Sequence, residues 1–315
     1  MAIQALYDVA APAKLNLFLH VVGRRDDGYH LLQSVFVLID WADTLHFERR
    51  SDGRLLRHDL GAALPADDLC LRAASLLQRA SGTSLGADIH LLKRVPWGAG
   101  LGGGSSDAAS TLLALNRLWA LHWPRERLLA LAARLGADVP FFVGGRAAFV
   151  EGIGEQLTPI ELPPMRFAVV KPPAAVATPA VFADPRLVRD SAPVILLGFL
   201  AGIVEMLPGE RGGAFRMYGR NDLEPVAEAL CAEVAEARRW LEARFGASRM
   251  SGSGSAVFAR IDEGDPSSAT VSEGAVFDTL PTGWAGRLCR SLPAHPLVHW
   301  AVREPEQSSE LTGVA

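Results

Sequence analysis

Cysteine is scarce in this chain of 315 residues, and the sequence also lacks a long apolar run. The cysteines are odd in number, far apart and without CxxC spacing, which argues against a disulfide framework or a zinc site. No segment holds 18 consecutive apolar residues, and the first residues lack the basic and apolar segments of a signal peptide. We therefore predict a cytoplasmic protein without a membrane span and with three reduced thiols, Cys70, Cys231 and Cys289.

The chain has no excess of basic residues: it contains 31 Lys and Arg and 35 Asp and Glu, which gives a net charge of −4. This balance predicts no nucleic-acid or membrane partner, so any anionic ligand must be met by a local site. Lysine itself occurs only at Lys14, Lys93 and Lys171. The scarcity favours a specific use of a compact ammonium at these positions, although drift explains any single case equally well.

Residues 13–22 alternate as a strand does, which predicts one apolar face and one face carrying Lys14, Asn16, Phe18 and His20. Residues 31–49 predict two further strands, broken near 40–43. Apolar periodicity then predicts helices over 67–81, 105–121, 124–136 and 226–246. Strands are predicted over 86–95, twice within 137–160 after a short link, over 162–173, and after a small-residue loop within 248–261.

The chain is long enough for two domains of modest size. We place the boundary near 160, which gives an N-terminal domain over 1–160 and a C-terminal domain over 161–303. The tail 304–315 is predicted to be disordered.

A cluster of glycines separates a predicted strand from a predicted helix in "PWGAGLGGGSSDAA", residues 96–109. The free N–H groups of the first helical turn then lie beside a flexible backbone, which predicts an anion site. A P-loop is excluded because no lysine follows the glycines. Gly98, Gly100 and Gly103 match the dinucleotide pattern GxGxxG, but the acidic strand end expected about 20 residues later falls at the start of a helix, which disfavours a nicotinamide site. A site for a non-nucleotide anion, or a turn without any ligand, also stays open.

Three segments in order, "PAKLNLFLHVVGRRDDGYH", "PWGAGLGGGSSDAA" and "SGSGSAVFA", resemble the three motifs of the galactokinase, homoserine kinase, mevalonate kinase and phosphomevalonate kinase superfamily. The resemblance covers about 10–258. It implies an α/β fold, of the α+β two-domain kind, with a ribosomal-protein S5-like N-terminal domain and a ferredoxin-like C-terminal domain. Nucleotide and substrate are then expected in the cleft between them. The GYH segment, residues 135–155 and "TPAVFADPRL" are similar to the branch that acts on a cytidine-diphosphate methylerythritol.

The resemblance implies transfer of phosphate from ATP to the 2-hydroxyl of that substrate, in non-mevalonate isoprenoid precursor biosynthesis, with Mg²⁺ on the phosphates. Ser105 or Ser106 is expected to assist the metal ion, and the sequence does not decide which. The implied ATP-binding residues are Pro96, Trp97, Gly98, Ala99, Gly100, Leu101, Gly102, Gly103, Gly104, Ser105 and Ser106.

Lys14 and Asp138 are the catalytic pair that the resemblance implies. From the residues alone, without the resemblance, Lys14 is interpreted as a solvent-exposed lysine on a strand and Asp138 as the N-cap of the next short helix. As a pair, the lysine keeps the aspartate ionised and stabilises the transferring phosphoryl group. The aspartate orients the hydroxyl and takes its proton late, because phosphoryl transfer is mostly positioning and charge stabilisation.

The implied substrate-binding residues surround a cytosine pocket. An aromatic pair, Tyr29 and Phe182, encloses the pyrimidine while His30 bonds its polar edge. From the residues alone, Phe182 is a core residue and His30 a turn residue. Asn16 and Thr178 complete the set, and the small-residue turn 251–255 is either a plain β-turn or a wall of the substrate site.

Two competing functions remain besides the nicotinamide enzyme: a kinase for another acceptor, and a binding module without catalysis.

Asp107 either contacts a ligand or caps its helix. The segment 262–284 is poorer in helical pattern than the resemblance leads us to expect. The chain is expected to be a monomer or a weak dimer.

Overall fold

Two sheets covered by helices make up the computed structural model, which describes residues 3–65, 68–205, 218–261 and 273–301. The six strands of the first sheet are β1 (Ala5–Arg24), β2 (His30–Arg50), β3 (Leu55–Asp59), β4 (Gly86–Leu92), β5 (Ala148–Glu151) and β6 (Gln156–Pro159). Its order is β3-β4-β2-β5-β6, with β1 paired to β2. Only β3 and β4 run parallel among these pairs. Its helices are α1 (Leu69–Ser81), α2 (Gly103–Leu118), α3 (Arg125–Ala132) and α4 (Val139–Gly144).

The second sheet is antiparallel and has the order β10-β7-β9-β8. Its strands are β7 (Arg166–Lys171), β8 (Arg249–Met250), β9 (Val257–Ile261) and β10 (Ala285–Arg290). The helices of this part of the chain are α5 (Thr178–Ala183), α6 (Leu196–Glu205), α7 (Glu224–Leu230), α8 (Ala232–Phe245) and α9 (Glu273–Phe277). The predicted mixture of sheets and helices is confirmed. The bounds 1–160 and 161–303 stay a prediction, and the tail 304–315 and residues 262–272 of the segment 262–284 lie outside the described residues.

The long hairpin of β1 and β2 corrects two predictions. Residues 31–49 form one strand, because the expected break near 40–43 is a register shift in the ladder with β1 and the strand continues through it. A second shift lies between Asn16 and Leu19, where β1 carries one residue more than its partner. Such a bulge reverses the alternation of side chains. Leu19 therefore lines the same cavity as Asn16, while Phe18 packs in a separate apolar cluster.

Helix α2 is buried nearly all round and packs between the first sheet and the other helices. It begins at Gly103, two residues earlier than predicted. The link predicted within 137–160 contains helix α4, which five buried side chains anchor in the core. The predicted helix 226–246 is divided at Cys231, whose extended backbone separates α7 from α8.

None of the three cysteines forms a disulfide, as predicted. Across the described ranges, no group of three or more His, Cys, Asp or Glu side chains is arranged to hold a metal ion. Within the same ranges no helix combines the length and the apolar character that crossing a membrane requires.

Candidate active site

A cavity of about 680 Å³ opens between the two sheets. Residues of β1, β2, the glycine loop (residues 96–106), α5 and the serine loop (residues 251–256) line it. It brings together most of the sequence-predicted site residues: Lys14, Asn16, Tyr29, His30, Gly98, Gly100, Gly102, Asp138, Thr178 and Phe182. The charged side chains in its lining are Lys14, Arg24 and Asp138.

Lys14 and Asp138 face each other in this cavity, with Nζ 3.5 Å from Oδ2. Lys14 is only 3% exposed, so the interpretation as a solvent-facing strand lysine is wrong. Its Nζ donates to Asn16 Oδ1 and lies 4.4 Å from the centre of the Phe36 ring. Burial lowers the pKa of the ammonium, and the carboxylate of Asp138 offsets part of that effect. The pair is therefore a desolvated cation held against an anion that water still reaches.

Asp138 occupies the N-cap position of α4, but its side chain makes no capping hydrogen bond. The capping role considered from the sequence is therefore wrong, and the carboxylate is left to face Lys14. Its side chain is 31% exposed, in contrast to the buried lysine. Pro140 in the first turn and the buried Phe142 fix the helix that carries it. A carboxylate on such a short, anchored helix is held in place while remaining accessible to a substrate hydroxyl.

Asn16 connects Lys14 to the rest of the cleft. Its Nδ2 donates to Ser34 Oγ at 3.0 Å, and Ser34 Oγ in turn donates to Phe18 O. Its backbone N–H donates to Ser251 Oγ at 3.2 Å. Because each of these side chains is buried, the network fixes the amide of Asn16 with its oxygen toward Lys14. Asn16 thus acts on Lys14 from the same strand face, as the two-residue spacing predicts.

Backbone carbonyls of the glycine loop accept hydrogen bonds from β1 and from the serine loop. Lys14 N–H donates to Leu101 O at 2.9 Å, and Ala256 N–H donates to Ala99 O at 3.1 Å. Ser251 Oγ donates to Gly100 O at 3.0 Å. The loop therefore joins β1 to the serine loop, and its position is set by the strand that carries Lys14.

Helix α2 starts without a side-chain cap. Gly102, at the N-cap, has φ of 69°, and a Cβ there would lie 2.8 Å from the Phe142 ring. The N–H groups of Gly103, Gly104 and Ser105 precede the first intrahelical partner and are free for an anion. Ser106 Oγ is fully buried in the same turn and has no hydrogen-bond partner. Uncapped donors and an orphaned hydroxyl together suit a phosphate group.

The loop residues divide into those that face the cleft and those that do not. Gly98, Gly100 and Gly102 line the cavity. Ala99 and Leu101 alternate with them and pack into an apolar cluster, so only their backbone is available to a ligand. Trp97 is 75% exposed outside the lining.

A buried ion cluster lies beneath the start of α2. Lys93 Nζ donates to Asp107 Oδ2 at 2.6 Å and to Asp43 Oδ2, while Asp43 Oδ1 accepts the backbone N–H groups of Arg94 and Val95. Asp107 is almost fully buried, pairs with Lys93 and caps no helix, so the capping role considered from the sequence is wrong, while a contact with a ligand stays a prediction. Burial raises the pKa of Asp107 to about 7, with the nearby Asp43 adding to the shift and Lys93 opposing it.

Asp107→Asn should remove a pH dependence of stability. A carboxyl whose pKa is raised in the folded chain stabilises it fully at pH below about 4 and loses that contribution as pH rises to about 7. Asparagine cannot ionise, so the variant should gain up to ~4 kcal/mol relative to wild type between pH 4 and 8. Urea unfolding at pH 5 and pH 8 measures this gain. Asp278→Asn, at an exposed position, is the control and should differ from wild type equally at both values; an equal difference for Asp107→Asn contradicts the prediction.

The three residues predicted to form a pyrimidine pocket all line the cavity. The rings of His30 and Phe182 stack with centroids 5.0 Å apart and an interplanar angle of 29°. Tyr29, which is 60% exposed, lines the same cavity. Sequence reasoning alone would have left Phe182 in the core, but it is only partly buried at the wall of the cavity.

The serine loop forms another part of the cavity wall. Thr178 Oγ1 and Ser253 Oγ lie 2.6 Å apart, which joins α5 to this loop. Asn221 Nδ2 donates to Met250 O and Gly252 O, both at 2.8 Å. Sequence reasoning missed Asn221, and also Ser34 and Arg24, because no local pattern marks a residue whose role depends on a distant loop. The serine loop is accordingly part of the cavity wall as well as a turn.

Comparisons with known proteins bear on this site. The chain matches the model of the GHMP kinases N terminal domain over residues 68–146 and that of the GHMP kinases C terminal over 207–271. It is 65% identical over 301 residues to the 4-diphosphocytidyl-2-C-methyl-D-erythritol kinase of Methylibium petroleiphilum, covering 96% of this chain and all of that protein. It is 54% identical over 306 residues to the enzyme of the same name from Verminephrobacter eiseniae, covering 96% and 99% of the two chains.

Solved structures agree with the fold. The crystal structure of a 4-(cytidine 5'-diphospho)-2C-methyl-D-erythritol kinase matches with a TM-score of 0.72 at 39% identity, covering 90% of this chain and 97% of that one. A homoserine kinase from Cytophaga hutchinsonii matches with a TM-score of 0.66 at 16% identity, covering 93% and 96%. The second likeness shows a shared fold alone.

Proposed function

Since the chain belongs to the family of 4-diphosphocytidyl-2-C-methyl-D-erythritol kinases within the GHMP kinases, we propose that its cleft transfers the γ-phosphoryl group of ATP to the 2-hydroxyl of the cytidine-diphosphate methylerythritol. The reaction serves the non-mevalonate route to isoprenoid precursors. The observation that carries the assignment of the site is the buried Lys14 facing Asp138 in the cavity that the glycine loop also lines.

The acceptor hydroxyl lies between Lys14 and Asp138. Its oxygen forms a bond to the γ-phosphorus as the bond from that phosphorus to the bridging oxygen of ADP breaks. The proton leaves the hydroxyl for the carboxylate of Asp138, which is too weak a base to remove it before the attack begins. Lys14 stabilises the charge on the transferring group, and burial strengthens that interaction. This order suits phosphoryl transfer, in which positioning and charge stabilisation carry most of the catalysis.

ATP lies with its phosphates over the glycine loop and the start of α2. Backbone N–H groups there meet the phosphate oxygens, and the helix end adds about 0.3–1 kcal/mol for each favourable charge interaction. A bound Mg²⁺ would neutralise negative charge on the phosphates of ATP. The buried and unpartnered hydroxyl of Ser106 fits such an ion as an oxygen ligand, which favours Ser106 over Ser105.

The cytidine end of the substrate occupies the pocket of Tyr29, His30 and Phe182. Arg24 lines the cavity nearby and supplies positive charge for the diphosphate. Thr178 and Ser253 hold the wall between the two ends of the cavity. A cytoplasmic location and a monomeric or weakly dimeric state remain predictions.

Two competing functions, a binding module without catalysis and a nicotinamide enzyme, fit the cleft less well. A binding module has no use for a desolvated lysine held against an accessible carboxylate, since keeping such a pair costs stability. A nicotinamide enzyme needs an acidic strand end after the glycine loop, and here α2 is followed by α3.

An acceptor series tests the proposed function. Purified protein with ATP and Mg²⁺ should form ADP and one new phosphate ester with the cytidine-diphosphate methylerythritol, followed by ³¹P NMR. Mevalonate and homoserine at equal concentration should give turnover at least 10³-fold lower, because they leave the pyrimidine pocket empty and forfeit its binding energy. Faster turnover with either of them, or consumption of NADH instead of ATP, overturns the assignment.

A further inference from the structure

The hydrogen bond between Arg189 and His30 determines more than the position of a side chain. Arg189 follows α5 in the chain and reaches back to the start of β2, where its Nε lies 3.0 Å from His30 Nε2. The guanidinium has only N–H donors and stays protonated. His30 Nε2 must therefore accept this bond, so a neutral ring carries its proton on Nδ1.

Arg189 is itself held in place by three backbone carbonyls. Its Nη1 donates to Leu187 O at 2.9 Å, and its Nη2 donates to Phe182 O at 3.0 Å and Asp184 O at 2.8 Å. Its Nε–H is thus aimed at His30 by a fixed loop. A His30 ring flipped about its second side-chain torsion would present a carbon to that donor and lose the bond.

The charges around His30 keep the ring neutral. Burial lowers its pKa, and the positive charges of Arg189 and Arg24 lower it further. These two arginines are the charged groups that face the ring from the loop after α5 and from the end of β1. In the described part of the chain, Nδ1 has no hydrogen-bond partner, and His30 lines the cavity.

We propose that Arg189 is a positioning residue for base selection, which fixes the proton on His30 Nδ1 and makes His30 a donor toward the pyrimidine of the substrate. N3 of cytosine accepts a hydrogen bond, whereas N3 of uracil carries a hydrogen and would oppose another donor. The fixed tautomer therefore favours cytosine and rejects uracil. The inference rests on the proposed function, because it assumes that the pyrimidine occupies the pocket beside His30.

Kinetics with matched substrates test this role. Wild type, Arg189→Met and Arg189→Lys are compared on the cytidine substrate and on its uridine counterpart. Removing the donor frees His30 to adopt either tautomer, so Arg189→Met should lower the cytidine-to-uridine ratio of kcat/KM by about tenfold or more, chiefly through KM. The ammonium of Arg189→Lys should restore part of the ratio. Below pH 7, KM of Arg189→Met for the cytidine substrate should fall, because a protonated His30 donates from both ring nitrogens and so regains its donor toward cytosine.

Two controls separate this role from plain anchoring of the loop. Arg186→Met removes a guanidinium three residues away whose hydrogen bonds, among the described residues, go to Asp184, and it should leave the ratio unchanged. In an His30→Asn background, Arg189→Met should cause no further change in the ratio. An equal fall in kcat/KM for both substrates, with the ratio kept, overturns the proposal and leaves Arg189 as an anchor.

A measurement that needs no activity reads the tautomer directly. Histidine labelled with ¹⁵N in the wild-type protein should show His30 protonated on Nδ1 at pH 7.5, with the signal assigned by its loss in His30→Asn. Arg189→Met should show exchange between the two tautomers. A wild-type ring protonated on Nε2 overturns the inference even if the enzyme is fully active. Absence of turnover with the cytidine substrate in wild type would instead count against the proposed function.

Discussion

Asp138→Asn is expected to lower kcat by a factor of about 10²–10⁴ while the protein still binds ATP. Asparagine keeps the size of the side chain but cannot accept the proton of the acceptor hydroxyl. It also leaves Lys14 buried without its anion, since Nζ lies 3.5 Å from Oδ2 of the native carboxylate. Initial rates at saturating substrates and ATP binding by calorimetry measure the two effects separately.

The same substitution should change the pH dependence of the reaction. Burial lowers the pKa of Lys14, and Asp138 partly offsets that effect, so removal of the carboxylate lowers the pKa further. The residual activity of Asp138→Asn should therefore begin to fall at a lower pH than the activity of wild type as the pH is raised. Lys14→Met combined with Asp138→Asn should cost little more than either change alone, because the two groups act as a unit.

Asp27→Asn is the matched control, because this carboxylate lies in the turn between β1 and β2 and pairs with the exposed Arg25. It should leave kcat within about twofold of wild type, as expected for a surface ion pair. If Asp138→Asn also retains more than a tenth of wild-type kcat, the carboxylate is not the proton acceptor.

The rare lysines all occupy positions with specific contacts. Lys14 faces Asp138, Lys93 joins two buried aspartates, and Lys171 donates to two backbone carbonyls at 2.7 and 2.8 Å. Each ammonium thus has a specific partner. Composition could indicate that these positions are special, but it could not identify the partners, because those of Lys14 and Lys93 come from segments far apart in the chain.

The failures of prediction have physical causes that no local pattern reveals. Simple alternation along β1 predicts that Phe18 and His20 share a face with Lys14. The bulge after Asn16 reverses that alternation, and it depends on how β1 pairs with β2, which the sequence of β1 alone does not show. The break expected near 40–43 rests on Asp40 and Asp43, yet buried Asp43 has its charge met by Lys93 and by two backbone N–H groups. Polar residues that end a strand in sequence can therefore lie inside it when tertiary contacts satisfy them.

The sequence predicts which residues form the candidate site, but not which residues hold them in position. The motifs predict the glycine loop, Lys14, Asp138 and a pyrimidine pocket as parts of one site, and residues of all four line one cavity. Ser34 holds Asn16, Asn221 holds the serine loop and Arg189 holds His30, through hydrogen bonds across 18 to 159 residues of sequence. Such supporting residues become visible only once the distant segments have been brought together.

Gly100→Ala is expected to disturb the nucleotide site most severely among changes in the glycine loop. An added Cβ would lie 2.1 Å from Ser251 O and 3.1 Å from Gly254 N, both of them backbone atoms that cannot rotate away. The residue also has φ of 71°, where a side chain costs about 1–2 kcal/mol. The loop must then separate from the serine loop and lose its bond from Ser251 Oγ. We expect unfolding free energy to fall by about 3 kcal/mol or more, with a higher KM for ATP.

Two other glycines in the same loop separate contact from backbone strain. At Gly98, φ is 63° but the nearest atom to an added Cβ is Ala175 Cβ at 3.6 Å, so alanine should cost only the strain of about 1–2 kcal/mol. At Gly104, within α2, the nearest atom is Leu69 Cδ1 at 3.8 Å, and alanine should be neutral or stabilising by up to about 1 kcal/mol. Urea unfolding should therefore find Gly104→Ala the most stable of the three variants, Gly98→Ala intermediate and Gly100→Ala the least stable. Equal losses at Gly98 and Gly100 would show that backbone conformation, and not the approach to Ser251, is what requires glycine at the centre of the loop.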